Sequence, residues 1–435
     1  MKIILSLSLF VLLIGLESSM AQKAYRFSFG SNNPNEQAIV INEITAYTNE
    51  LGYGFHSENQ QHIKIDQTNG FCTADVPFYF SQAVPEGVYD VAVKLGHPSL
   101  EGMTTIKAEA RRLMVFDQII PAGQTTTVHF TVSVRSPQID SVRSIRLKTR
   151  EVNYMNWDDR LTLEFSGKNV AIQAINIQPK EKYTTLFLAG NSTVTDQDCA
   201  PWASWGQMIT RYFNPDLVVA NYAESGEALV SFKSAGRLDK ILSQMKPGNY
   251  LFIEFGHNDQ KRKGEGIGPW LSFTDLLIEY VTRARDKGGI VVLITPTQRR
   301  SFNASGEIVP THGDYPAAMR KVAEDYQVPL IDLNQMTKTV YEAWGDDASR
   351  LAFVQYPANT FPGQEKKLED NTHFNTFGAN EVAQCILLGI TEKVPELKPL
   401  IINFDETYNP AKPASFSNWD LIMSPRFVSI KPDGN

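Results

Sequence analysis

The residues with a chemical opportunity fall in four short blocks: Gly190-Asn191-Ser192-Thr193, Asn221-Tyr222-Ala223-Glu224-Ser225-Gly226, Gly256-His257-Asn258-Asp259 and Asp370-Asn371-Thr372-His373. Together they suit nucleophilic acyl transfer. A serine hydroxyl is a weak nucleophile until a base takes its proton; Ser192 is the candidate nucleophile and His373 the candidate base. Asp370, three residues before His373, could hold the imidazole tautomer and stabilise its charged form. The tetrahedral intermediate needs donors aimed at its oxyanion. The Ser192 and Gly226 backbone amides and the Asn258 side-chain amide are the candidates, and glycine at 226 lets the backbone approach a substrate closely. Each block alone has a plainer reading. Strand-Gly-x-Ser turns are common, Asp-x-x-His often caps a helix, and Gly226 and Asn258 could simply shape turns. All four in this order, at one edge of one sheet, favour chemistry.

That edge follows from the hydrophobic pattern. From Tyr183 onward, continuous apolar runs occur at Thr185–Ala189, Leu217–Ala220, Tyr250–Phe255, Ile290–Thr295 and Val328–Leu333. Such runs fit parallel strands covered on both faces. Between and after them, helical periodicity predicts helices over Trp202–Phe213, Leu238–Met245, Phe273–Lys287, Tyr315–Tyr326, Asn334–Trp344 and Phe377–Leu388. The alternation predicts a three-layer α/β/α domain with a parallel sheet, whose ligands bind beyond the carboxyl ends of the strands. Upstream, short β-rich runs at Tyr25–Phe29, Val76–Phe80, Val88–Leu95, Thr126–Val134, Ser144–Thr149, Leu161–Phe165 and Val170–Ile177 predict an all-β sandwich without helices. The expected division is a leader at 1–21, a β-sandwich at 22–180, the α/β domain at 181–394 and an extended segment packed on the body at 395–435.

The 435-residue chain is 42% hydrophobic and 20% charged, with a net charge of −7. These values fit folded domains and exclude a disordered, collagen-like or coiled-coil protein. The acidic balance argues against a nucleic-acid partner. Met1-Lys2, the apolar run Ile3–Leu16 and the small residues Ser19-Met20-Ala21 read as a secretory signal peptide cleaved before Gln22. The apolar run is short for a membrane span of ~20 residues, and no later segment is apolar enough, so the expectation is an exported protein, periplasmic or extracellular. The three cysteines, Cys72, Cys199 and Cys385, are not a disulfide scaffold and lack metal-site spacing. A Cys199–Cys385 bridge stays open. Asn191-Ser192-Thr193 and Asn303-Ala304-Ser305 are glycosylation sequons; a glycan beside the nucleophile would block it, which favours a bacterial source. Monomer is the default.

The four blocks resemble the SGNH (GDSL-like) hydrolase superfamily over residues 183–393. Phe255-Gly256-His257-Asn258-Asp259, Asp370-Asn371-Thr372-His373, Thr195-Asp196-Gln197, Trp205-Gly206-Gln207, Thr295-Pro296 and Arg299-Arg300 look similar to the rhamnogalacturonan acetylesterases of carbohydrate esterase family 12. The resemblance implies a triad of Ser192, Asp370 and His373. It also implies an oxyanion hole of Ser192, Gly226 and Asn258, no cofactor or metal, and an acetylated polysaccharide substrate. The β-rich half is similar to the galactose-binding-like domains attached to some bacterial members. One departure is that the common Gly-Asp-Ser reads Gly190-Asn191-Ser192 here, losing a charge but not the hydrogen bonding.

Other residues invite weaker roles. Arg299, Arg300 and His312, with Asp314, could touch substrate at the functional edge, and arginine suits a carboxylate. Solvation or a salt bridge serves equally well for both arginines. His257 is read as orienting its loop. Tyr79, Trp157 and Trp270 could stack on sugars or pack in the core. No Gly-x-Ser-x-Gly elbow surrounds Ser192, and no dinucleotide or phosphate-loop signature occurs. Three rivals to deacetylation of rhamnogalacturonan remain: esterase action on another glycan such as xylan or on lipid, an idle glycan-binding protein, and a glycoside hydrolase using a carboxylate pair from Asp196, Asp198, Glu254 and Asp259.

Overall fold

The computed structural model describes residues 23–30 and 37–433; the leader expected at 1–21 lies outside them. Residues 25–179 form two sheets. One is seven-stranded and includes Tyr25–Phe29, Gly87–Leu95, Thr126–Val134 and Ile172–Pro179; the other is five-stranded and includes Phe78–Ala83, Gly102–Ala108, Arg112–Ile120 and Arg160–Lys168. Phe27, Phe29, Tyr89, Val91 and Ile175 of the first meet Phe55, Phe80, Ile106, Leu163 and Phe165 of the second in one apolar core. Alternate residues supply that core because successive strand side chains point to opposite faces.

Two expectations in this half need correction. Ser144–Thr149 is not a strand: the Ile145 amide donates to Pro137 and the Arg146 amide to Ala235, so no single ladder forms. Thr149–Asn153 is a short 3-10 turn closed by the Lys148 amide donating to Glu151 at 2.9 Å. Conversely, the strands Gly102–Ala108 and Arg112–Ile120 carry buried charged side chains, Lys107 bonding Glu164 and Ser424 and Arg112 bonding Asp196. Their charges disguised the alternation.

The second half is a parallel five-stranded sheet. In chain order its strands are Thr184–Gly190, Leu217–Asn221, Tyr250–Glu254, Ile290–Ile294 and Leu330–Ile331, and in space they run second, first, third, fourth, fifth. The order reverses beside the first strand, which places the turn after Gly190 at the point where open α/β sheets bind ligands. Helices Arg237–Gln244, Thr274–Arg285 and Tyr315–Asp325 cover one face, their residues sharing a core with Phe187, Leu251 and Leu293. Leu333–Trp344 and Thr376–Lys393 cover the other, packed with Leu186, Phe252 and Val292. The expected helix at Trp202–Phe213 is shorter. Ala203 donates to Phe374 instead of opening a helix, leaving Trp205–Met208 as α-helix and Ile209–Tyr212 as 3-10. A six-residue helix at Leu229–Ser234 escaped the periodicity. All three cysteines are free, and no described helix is long and apolar enough to cross a membrane.

The two halves are joined through charge. Asp196, four residues past Ser192, accepts from Arg112 Nε at 2.8 Å, from Arg135 Nη2 at 3.0 Å and from Asn221 Nδ2 at 2.8 Å. The carboxylate side chain is 0% exposed. Arg112 also donates to the Ser133 carbonyl and to Asn156 Oδ1. Removing one partner of a buried ion pair strands the others without solvent, which costs ~3–5 kcal/mol. We therefore expect Asp196→Ala to destabilise the protein by about that much in urea unfolding, with Asp196→Asn intermediate. A loss under ~1 kcal/mol, the range of an exposed ion pair, would contradict this role.

Candidate active site

The first three parallel strands end at Gly190, Asn221 and Glu254, and the polar blocks follow at their shared carboxyl edge. Gly190 is required by packing: a Cβ there would stand 2.6 Å from Val194 Cγ2. Asn191 then shapes the nucleophile turn, its Oδ1 accepting from the Thr193 amide at 3.1 Å and the Thr193 hydroxyl at 3.0 Å. An aspartate in its place would accept the same bonds, so the departure from Gly-Asp-Ser leaves the turn intact. The Asp370 and His373 block lies on the strand Leu368–Phe374, which pairs antiparallel with Phe353–Tyr356. Asn375 ends that strand and caps the helix Thr376–Lys393 by accepting from the Gly378 amide.

The strand ends bring Ser192, His373 and Asp370 into line. The Ser192 hydroxyl lies 2.8 Å from His373 Nε2, and His373 Nδ1 lies 2.8 Å from Asp370 Oδ2. The other Asp370 oxygen accepts from the Thr372 and His373 amides at 2.7 and 2.9 Å. Burial opposes the Asp370 charge, but the His373 hydrogen bond, the His373 charge and these amides together hold the carboxyl down at about 2. An ionised Asp370 accepts the Nδ1 proton, leaving Nε2 free to accept from serine. Trp202 packs edge-on against the imidazole at 5.7 Å.

Gly226 has φ of +83°, a conformation that favours glycine. Among the described residues, neither the Ser192 nor the Gly226 amide has a backbone acceptor. The Asn258 side chain donates one N–H to the Glu227 carbonyl at 3.0 Å and keeps a second. Gln197 ties two blocks together, donating to the Ser192 carbonyl at 2.8 Å and to the Ser225 hydroxyl at 3.3 Å.

The remaining candidates are engaged by the protein's own groups, the plainer of the readings open to most of them. Arg300 is taken up by protein partners: it donates to Ser349, Asn371 Oδ1 and Asp346, and its amide bonds the Asn371 carbonyl. It props the turn that carries Asp370. Arg299 donates to Thr311 and the His257 carbonyl. His312 is buried, 3.0 Å from His257 Nδ1, while His257 Nε2 meets the Thr297 hydroxyl at 3.1 Å. Burial pushes His312 down to about 3 and His257 well below the usual range, so both are neutral supports of the Asn258 loop. Trp157 is packed between the halves, its ring beneath Arg135, and Tyr79 is core; Trp270 is exposed and donates to Asp314.

Among the described residues, the four candidate acids are each engaged as structural groups and form no carboxylate pair of the glycosidase type. Asp196 is spent on guanidiniums, Asp259 accepts from the Leu229 and Gly256 amides, and Arg426 holds Asp198. Glu254 lies behind the nucleophile strand, accepting from Thr193 Oγ1 at 2.9 Å and Trp205 Nε1 at 2.6 Å. Two basic residues that sequence reasoning missed, Lys148 and Arg150, reach the site from the strand-rich half and bond the Ser225 carbonyl. They carry no local signal, because only the docking of the two halves brings them there.

Burial raises Glu254 from 4.5 to about 7. An acid that keeps its proton in the fold stabilises fully below its unfolded value, and that stability fades as pH rises through the folded value. Between about pH 5 and pH 8, Glu254→Gln should therefore lose less stability than wild type in parallel melting curves. Superimposable pH dependences would contradict a protonated Glu254.

The sequence pattern of the GDSL-like Lipase/Acylhydrolase family matches residues 188–379. The chain is 41% identical over 227 residues to the rhamnogalacturonan acetylesterase RhgT of Bacillus subtilis (strain 168), covering 51% of this chain and 96% of that protein. It is 32% identical over 210 residues to the probable rhamnogalacturonan acetylesterase YesY of the same organism, covering 48% and 92%. A third relative there, the uncharacterized esterase YxiM, is 25% identical over 386 residues, covering 85% of this chain and 92% of that protein. The first two likenesses span about half of this chain, whereas the third takes in both halves. A relative of 41% identity matched almost end to end, together with the family pattern across the four blocks, means that this chain belongs to the GDSL-like lipase/acylhydrolase family and is a carboxylic ester hydrolase.

Proposed function

We propose that the protein is an exported carbohydrate esterase that removes acetyl groups from acetylated rhamnogalacturonan. The observation that carries the mechanism is the Ser192–His373–Asp370 relay, two 2.8 Å contacts in line. The relatives named rhamnogalacturonan acetylesterase support the substrate. In this reading Ser192 Oγ attacks the acetyl carbonyl while His373 Nε2 takes its proton. Asp370 stabilises the imidazolium so formed. The Ser192 and Gly226 amides and the second N–H of Asn258 receive the oxyanion, where preorganised donors act strongly because they need no reorientation. As the bond to the sugar oxygen breaks, His373 gives that oxygen the proton and the sugar leaves as an alcohol. Water, losing a proton to His373, then attacks the acetyl-serine, and His373 returns that proton to Ser192 Oγ as acetate leaves.

Residues 181–394 form the catalytic domain in this reading, 22–180 an accessory domain, and 395–435 an extension that packs on both. Export by the leader suits a polymer that cannot enter a cell.

Acetate release from acetylated rhamnogalacturonan tests the reading. Losing a triad nucleophile costs on the order of 10⁴-fold or more, so Ser192→Ala should be inactive while keeping the wild-type melting curve. Cleavage of simple acetyl esters through Ser192 without action on the polymer would keep the mechanism and reject the substrate. A variant as active as wild type would reject the mechanism.

A further inference from the structure

A cavity of about 280 Å³ adjoins the triad, lined by Gln197, Trp202 and Ser225 from one side and by Arg150 and Tyr154 from the strand-rich half. The chain's own last described residues lie across it. They are led there by Phe427 and Val428, which pair with Ala200, and by the Trp202 indole donating to the Val428 carbonyl. Beyond that point two ion pairs hold the segment. Lys431 Nζ stands 3.3 Å from Asp370 Oδ2, and the Asp433 carboxylate pairs with Arg150 Nη1. A Cβ placed on Gly226 would be 3.0 Å from Asp433 Cβ. The segment thus runs from Asp370 to Gly226.

Arg150 is built to present a charge there. Its Nη2 donates inward to Glu224 at 2.5 Å and to the Ser225 carbonyl at 2.9 Å, which fixes the guanidinium plane and leaves Nη1 facing the cavity. Burial and the neighbouring Glu151 push the inner partner Glu224 above the usual carboxyl range. Glu224 and the Ser225 carbonyl engage only Nη2, so Nη1 is left for a second carboxylate. The outer pairs are weak by comparison, because Lys431 is 44% and Asp433 60% exposed, and exposed ion pairs stabilise little.

We propose that Arg150 recognises the carboxylate of an acidic sugar in the acetylated substrate, and that Asp433 of the chain's own C-terminal segment holds that place until the sugar displaces it. This rests on the carbohydrate esterase reading and adds to it the uronate as the recognised unit and the strand-rich half as the source of its ligand. Arginine suits the task because its planar fork matches a carboxylate.

The test uses the full chain hydrolysing p-nitrophenyl acetate, with unacetylated galacturonate trisaccharide or the matching neutral galactose trisaccharide as inhibitor. The acidic trisaccharide should inhibit more strongly than the neutral one. Arg150→Gln should raise its inhibition constant ~10–100-fold, the range for a hydrogen bond to a charged group, with Arg150→Lys intermediate and the neutral constant unmoved. Asp433→Asn, which leaves the Arg150–Glu224 contact in place, should lower the acidic constant ~2–5-fold by removing a weak competitor. Equal inhibition by both trisaccharides, or an acidic constant unmoved in Arg150→Gln and Asp433→Asn, overturns the assignment. Failure of acetylated rhamnogalacturonan as a substrate is read separately, in the acetate assay, and overturns the function reading instead.

Discussion

The structure depends on one buried carboxylate. Asp196 sits where no water can reach it, and the fold surrounds it with donors from three places: Arg112 and Arg135 of the sandwich and Asn221 at the end of the second parallel strand. A charge in such a place is tolerable only if every partner is present and well aligned. The two halves of the chain must therefore dock in one register. That docking fixes the segment just beyond Ser192 between them, while the Asn191 turn and the close packing of Gly190 fix it from the sheet side. The strand-rich half is consequently part of the apparatus that holds the nucleophile, and not a module on a tether.

The same logic of full pairing governs the triad. Asp370 is buried, yet the amides of Thr372 and His373 and the imidazole Nδ1 keep its charge stable. Arg300 steadies the turn beneath it through Asn371. The neutral pair His257 and His312 stiffens the loop of Asn258 without adding positive charge beside the base. Ser192 is only 4% and His373 0% exposed, so in the proposed mechanism the reacting groups sit in a low-dielectric place where aimed donors act more strongly than in water. The C-terminal segment contributes to that seclusion, and its exposed ion pairs are of a strength that a substrate can exchange.

Much of the site was legible because its chemistry is local in sequence. Ser192, Gly226 and Asn258 each follow a short recognisable strand, parallel strands put their carboxyl ends on one edge, and the Asp370–His373 pair stands just before a recognisable helix. What could not be read was whatever depends on the meeting of distant segments. Lys107 and Arg112 interrupt the apolar alternation of two strands, and their counter-charges Glu164 and Asp196 lie 57 and 84 residues away. Arg300 and His312 had residue types suited to a ligand, but their partners Asp346 and His257 turned them into scaffold. Arg150 carried no motif at all. Glu254 and Asp259 looked like candidate acids, but burial and hydrogen bonds make them supports of the nucleophile strand and the Asn258 loop.

The central claim is that His373 activates Ser192 as a covalent nucleophile. A fluorophosphonate reacts only with such an activated hydroxyl, so intact-mass measurement followed by peptide mapping reads the claim directly. The account predicts a single adduct, on Ser192, formed in proportion to loss of esterase activity and absent from His373→Ala. An adduct on another residue, or full inactivation with Ser192 unmodified, would contradict it.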